Sequence, residues 1–239
     1  MDQPRKMARA PARAGSSKRA QSERRRASMA LILDCAEALF AEKGYNGVTL
    51  SEVAQEARVD TSLMRYYFGD KQQLFRAVFT RRGPIINELR LKAMAEYRAA
   101  AGDKLELEGI VAAFTRPCFE QMSVDQGWRN YMAIIAYVNS SRGYLRSLMS
   151  ETFDAVSHEL LRDMRRIFPE TPDQELFWSY HFLTGAFTFS LGQTGRVDTL
   201  SNGLCSSEDA LAIADRLPIT ISAGIRALCN RGNPTAGEE

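Results

Sequence analysis

The chain has 239 residues, 45% hydrophobic and 25% charged, as expected of a globular protein with one large or two modest domains and a full apolar core. Its net charge of +2 conceals a division: residues 1–82 carry 16 Lys and Arg against 9 Asp and Glu, and residues 83–239 carry 15 against 20. A basic first third points to a polyanionic partner for that part alone, while the lack of any run of about 18 apolar residues or of a signal-peptide core argues against a membrane span and for a cytoplasmic protein.

Residues 1–21, rich in Arg, Ala, Pro and Ser, have too few large apolar side chains to offset ordering entropy and are expected to form a disordered basic arm. Such an arm either tracks phosphates and the minor groove or merely solubilises. Contact with DNA is better supported for Arg24, Arg25 and Arg26, which adjoin the folded part. The first helix is expected from about Ser22 to Lys43, with Ile32, Ala36, Leu39 and Phe40 on one stripe and Gly44 just past its end.

The next stretch organises the chain. Thr49 and Glu52 form a capping box that starts a short helix with Val53, Ala54 and Ala57 on its apolar face. Arg58-Val59-Asp60 is a turn. Asp60 or Thr61 caps a second helix, Ser62 to Phe68, and Asp70 caps a third from Lys71. A helix this short, carrying Arg65, Tyr66 and Tyr67, reads as an element presented to a partner, in a helix-turn-helix.

Leu74, Phe75, Val78 and Phe79 give the following helix its buried face. Gly83-Pro84 should kink or break it. Beyond, Ile85, Leu89 and Met94 are expected to face a core. The domain boundary is placed there, giving a DNA-binding domain at 22–82, a helical domain at 83–229 and a flexible tail at 230–239. The remainder reads as helices: Asp103 to about Val124, interrupted at Pro117; Gln126 to Asn139; Arg142 to Phe168; Pro172 to about Gly195; and, after a loop at 196–206, Ser207 to about Cys229. No strand periodicity is present, so the fold class is all-α.

From Ser22 to Phe79 the chain resembles the DNA-binding domain of the TetR family of bacterial transcriptional regulators. The resemblance lies in FAEKGYNGVTLSEVAQEA and in the short helix ending RYYFGDKQQLF. The helical remainder has the length of that family's effector-binding and dimerisation domain. RRGPIINELRL, at 81–91, resembles the start of that domain in the subgroup responding to fatty acids or acyl-coenzyme A. One position departs: the family usually has glycine where this chain has Arg58. Either Arg58 takes a left-handed conformation, at roughly 1 kcal/mol, or the turn is built differently and Arg58 sits near the phosphates.

The resemblance implies that Ser62 to Phe68 enters the major groove. Thr61, Ser62 and Leu63 would face base edges or thymine methyls, and Arg65 would donate a pair of hydrogen bonds to guanine. Tyr66 and Tyr67 either bond phosphates or fill the small core. Lys71, Thr49 and Ser51 would hold the backbone, with Arg24 beside them. One such helix reads few base pairs, so a homodimer on a pseudo-palindromic double-stranded site is expected, paired through helices 172–195 and 207–228 as a four-helix bundle.

The second domain concentrates aromatic residues, as an apolar pocket for a small hydrophobic ligand would. Candidate lining residues are Phe114, Arg116, Phe119, Asn130, Tyr131, Phe177, His181 and Thr184, with Arg116 placed to hold a carboxylate or phosphate. The alternative for His181 is a satisfied histidine of the core or an interface. No cofactor or metal is expected. With only His158 and His181, no metal-ligand spacing and no CxxC among Cys35, Cys118, Cys205 and Cys229, an enzyme is poorly supported. A ligand-independent architectural DNA-binding protein and a transcriptional activator are the remaining alternatives to a ligand-released repressor.

Overall fold

The computed structural model describes residues 14–230. Among these there are ten helices and no strand: α1 (Ala14–Lys43), α2 (Leu50–Glu56), α3 (Thr61–Phe68), α4 (Lys71–Ala101), α5 (Leu107–Met122), α6 (Gln126–Asn139), α7 (Tyr144–Ile167), α8 (Asp173–Leu191), α9 (Arg196–Leu200) and α10 (Ala210–Cys229). The fold is all-α, as the periodicity implies.

The N-terminal head is built on local chemistry. The Thr49 hydroxyl accepts from the Glu52 N–H, and Glu52 in turn accepts from the Thr49 N–H at 2.8 Å, completing the capping box. The Asp60 carboxylate accepts from the Ser62 N–H at 2.7 Å, and Asp70 from the Gln73 N–H at 2.8 Å. The starts of α2, α3 and α4 are thereby fixed. Ile32, Ala36 and Phe40 of α1 then pack with Val53, Met64, Leu74 and Phe75 in one core. Phe75 meets Phe40 edge-on at 4.9 Å.

The larger body packs α5 against α4 and α10, and sets α7 and α8 beside them. Head and body are held by α6, which lies against α1. Gly44, with φ 67°, allows this approach: a Cβ there would come 2.9 Å from the Tyr137 ring. The buried Tyr131 phenol donates to the Phe79 carbonyl at 2.8 Å. Burial pushes that phenol well above its ordinary range, so it remains a donor at any physiological pH.

Several expectations are corrected. The first helix begins at Ala14 rather than Ser22, so residues 14–21 extend it. Ala, Arg, Lys and Gln favour helix without leaving an apolar stripe to read. Residues 1–13 and the expected tail beyond Asn230 lie outside the described residues.

The helix does not break at Gly83-Pro84: α4 runs through Pro84 for 31 residues. The lost backbone bond, a cost of about 3 kcal/mol, is outweighed by packing of both halves of α4 against α1, α5 and α7. Gly83 is an approach site, since a Cβ there would lie 2.7 Å from Thr152 Cγ2. Ile85 is exposed, and the buried stripe runs instead through Ile86, Arg90 and Met94. Asp103 does not cap α5, whose N-cap is Glu106 with no side-chain bond, and Pro117 lies within α5. The expected loop at 196–206 contains α9, and α10 is capped by Asp209 rather than opened by Ser207.

Candidate nucleic-acid interface and effector cavity

The short helix α3 has two faces. Met64 and Phe68 are buried, whereas Ser62, Arg65 and Tyr66 are exposed, Tyr66 by 72%. Thr61, Leu63 and Tyr67 are half-buried between them. Hydrogen bonds from Ser62 hold the Asp60 carboxyl below its ordinary range, so this N-cap stays ionised at neutral pH. Arg58, in the preceding turn, has φ 53°, the left-handed alternative of the two left open by the sequence. Its strain should be removable. Arg58→Gly is expected to raise folding stability by about 1 kcal/mol, read as a higher melting temperature, and an unchanged or lower value would show the turn to be unstrained.

The basic end of α1 reaches this face. The Arg25 guanidinium stands 5.5 Å from the Tyr67 ring centre and 5.9 Å from that of Tyr66. Arg24, Arg25, Ser28, Tyr66 and Tyr67 surround an open hollow between α1 and α3 of about 500 Å³. Arg24 and the Tyr66–Tyr67 pair are thus brought together. Ser51 is exposed on α2. The Thr49 hydroxyl is committed to the capping box, and the Lys71 ammonium donates to the Tyr45 carbonyl at 3.1 Å while lying 4.5 Å above the Tyr45 ring. Lys71 therefore offers its remaining N–H groups from a fixed position.

Behind this head lies a charged joint. Glu37 of α1 is buried, with Arg81 at 2.7 Å and Arg82 at 3.1 and 3.2 Å on its two carboxylate oxygens. Arg81 also meets Asp34 at 2.7 Å, and Arg82 lies 4.7 Å from the Trp128 ring of α6. One carboxylate thus links α1 to the middle of α4 and, through Arg82, to the body.

Within the body a narrow cavity of about 40 Å³ lies among α4 to α8, lined among others by Arg90, Phe114, Phe153, Ser157, Tyr180 and Phe187. The Arg90 guanidinium lies 4.2 Å from the Phe114 ring centre, 5.1 Å from Phe187 and 5.9 Å from Phe153. The Tyr180 hydroxyl donates to Ser157 Oγ at 2.8 Å.

Two family models match the chain. One, described as Bacterial regulatory proteins, tetR family, matches residues 32–78, and the other, Tetracyclin repressor-like, C-terminal domain, matches residues 112–224. This chain belongs to the TetR family. That is a family of transcriptional regulators and not of enzymes. It is 36% identical over 86 residues to the HTH-type transcriptional regulator BetI of Burkholderia thailandensis, covering 35% of this chain but only 42% of that relative. The match therefore spans less than half of the relative's length. The fold is similar to that of the fatty acid degradation regulator FadR of Bacillus halodurans, with a TM-score of 0.54 at 16% identity, over 83% of this chain and 96% of that one. It is likewise similar to FadR of Bacillus subtilis in complex with stearoyl-CoA, with a TM-score of 0.53 at 15% identity, over 81% and 97%.

The C-terminal part of this TetR chain does not assemble the expected pocket residues in one place. Phe114 and Thr184 line the cavity, as does Asn139. Phe119 is buried behind it, edge-on to Phe187 at 5.6 Å. Arg116 is ion-paired with Asp215 of α10. Asn130 accepts from Gln126 at 3.0 Å on α6, and Tyr131 belongs to the head–body joint. Phe177 and His181 are exposed on α8, where His181 meets the edges of the Trp178 and Phe182 rings. Among the residues not anticipated, Arg90 is the charged one, and a signal existed: it sits four residues from both Ile86 and Met94, within a buried stripe.

Proposed function

We propose that the protein is a transcriptional repressor that binds a pseudo-palindromic DNA site as a homodimer and is released by a small hydrophobic ligand. One observation carries the DNA reading. Helix α3 buries Met64 and Phe68 and turns Ser62, Arg65 and Tyr66 outward, beside the basic end of α1. That division suits insertion in a major groove, with Arg65 reading guanine and Arg24, Tyr66, Tyr67 and Lys71 on phosphates.

The dimer reading is supported by an exposed aromatic face. Trp178, Phe182 and Phe189 project from α8, Phe182 58% exposed and beside Thr220 and Gly224 of α10. An exposed aromatic face on these two helices has the character of an isologous contact. The ligand reading is supported by the aromatic cavity and by the fold shared with a regulator that holds stearoyl-CoA. No described helix is long and apolar enough to cross a membrane, in keeping with a cytoplasmic site of action.

Footprinting on DNA flanking the protein's own gene tests the proposal, with a two-fold symmetric protected site as the expected result. On that site Arg65→Ala should relax base preference at one position of each half-site by about 1–3 kcal/mol. Lys71→Ala should weaken all sequences alike and flatten the salt dependence of log affinity by about 1 per protomer. Equal affinity for all duplexes in the wild type would leave an architectural protein, and stimulation of a flanking promoter in a transcription assay would make it an activator.

A further inference from the structure

Arg90 is a buried cation without a counter-ion. It is 5% exposed, and no carboxylate among the described residues lies within ion-pair distance of it. Its Nε is buried with no hydrogen-bond partner. The nearby groups that could neutralise it remain uncharged: burial raises the Cys118 thiol and the Tyr180 phenol above their ordinary ranges. The other buried arginine–carboxylate contacts of the body show the contrast, since Arg98 meets Asp163 at 3.1 Å. A buried arginine held by three aromatic faces and a neutral thiol, that of Cys118, is costly to keep unless an anion completes it.

We infer that Arg90 receives the carboxylate of the effector, a monocarboxylic acid with an apolar body. The inference rests on the ligand-responsive reading above and narrows it, because an acyl thioester or amide presents no anion at that end. The chemistry of the cavity fits the assignment. Guanidinium pairs with carboxylate through two parallel N–H donors, and the Tyr180 hydroxyl, which donates to Ser157 Oγ while Ser157 donates to the Phe153 carbonyl, lines the same cavity and would turn its proton from Ser157 to a carboxylate oxygen. Ile135, Met149 and Phe153 offer apolar walls to the rest of the molecule. At about 40 Å³ the cavity holds a head group only. The apolar body would enter by parting the surrounding helices, since ordinary ligand sites run to about 300–1,000 Å³.

The test uses the full chain and three carboxylates, benzoate, hexanoate and decanoate, each titrated calorimetrically against its primary amide. At least one acid should bind tenfold or more tighter than its amide. Arg90→Met should remove that preference while leaving amide binding unchanged. Unliganded Arg90→Met should also melt no lower than the wild type, because an apolar side chain of similar length replaces an unpaired cation. Acid and amide binding equally, no acid binding, or Arg90→Met retaining the preference would each overturn the inference. Failure of the wider reading looks different. If acids bind through Arg90 but leave a footprinted complex intact, the anion site stands and ligand release fails. If amides release DNA as well as acids do, release stands and the anion site fails.

Discussion

Phe182→Glu is expected to give a monomer that no longer protects its DNA site. The ring stands on the outer face of α8 beside Trp178, stacked on it at 5.9 Å, and borders a groove with Thr220, Gly224 and Ile225 of α10. In a two-fold interface the substitution acts twice. Losing the burial of two phenyl rings costs about 1.5–3 kcal/mol each, and each introduced carboxylate adds a charge that finds no partner in an aromatic face. Dimer association should weaken by about a thousand-fold or more, equivalent to about 4 kcal/mol. DNA affinity then falls with it, because one α3 reads only half a site. Sedimentation at micromolar concentration checks the first part and footprinting the second. A variant that stays dimeric would place the interface elsewhere on the body.

Glu37→Ala is the second large effect. Its carboxylate meets two guanidinium groups from a position only 1% exposed. Removing it leaves Arg81 with Asp34, but leaves Arg82 with only the Trp128 ring. Breaking one side of a buried pair ordinarily costs about 3–5 kcal/mol, most of it from the stranded charge. Denaturant unfolding should show a loss of about 3 kcal/mol or more, with the head loosening first, since Glu37 joins α1 to α4. A loss under about 1 kcal/mol would mean that Arg82 finds a substitute partner, and the joint would then be no more than packing.

The parts legible in the sequence are those fixed by local chemistry. Thr49 with Glu52, Asp60 and Asp70 cap the helices they were expected to cap, and α6 has the bounds its periodicity implies. What escaped depended on distant neighbours. Pro84 obeys a local rule that packing against α5 and α7 overrides. Ile85 and Ile86 are both apolar, so the sequence cannot say which faces inward, and the choice moves the first two positions of the stripe by one residue, while Met94 belongs to it either way. Arg90 was hidden by that shift: a cation reads as solvent-facing until Ile86 and Met94 are seen to flank it on a buried face. Pocket residues are hard to pick out of the sequence for a related reason. Aromatic residues such as Phe177 mark a body rich in rings, but burial inside and exposure on α8 use the same residue types.

The unbroken α4 has a mechanical consequence. From Lys71 to Arg90 it is a stiff rod of about 28 Å, at about 1.5 Å per residue. A tilt of about 5° pivoting near Arg90 would swing the Lys71 end, and α3 beside it, by about 2.5 Å at that rise per residue. In a symmetric dimer the two displacements add, to about 5 Å against a groove repeat of about 34 Å. A hinge at Gly83-Pro84 would absorb such a tilt. A proline carried inside an unbroken helix transmits it, so a swing smaller than a hydrogen-bond length at each head is enough to put two reading heads out of step with the DNA.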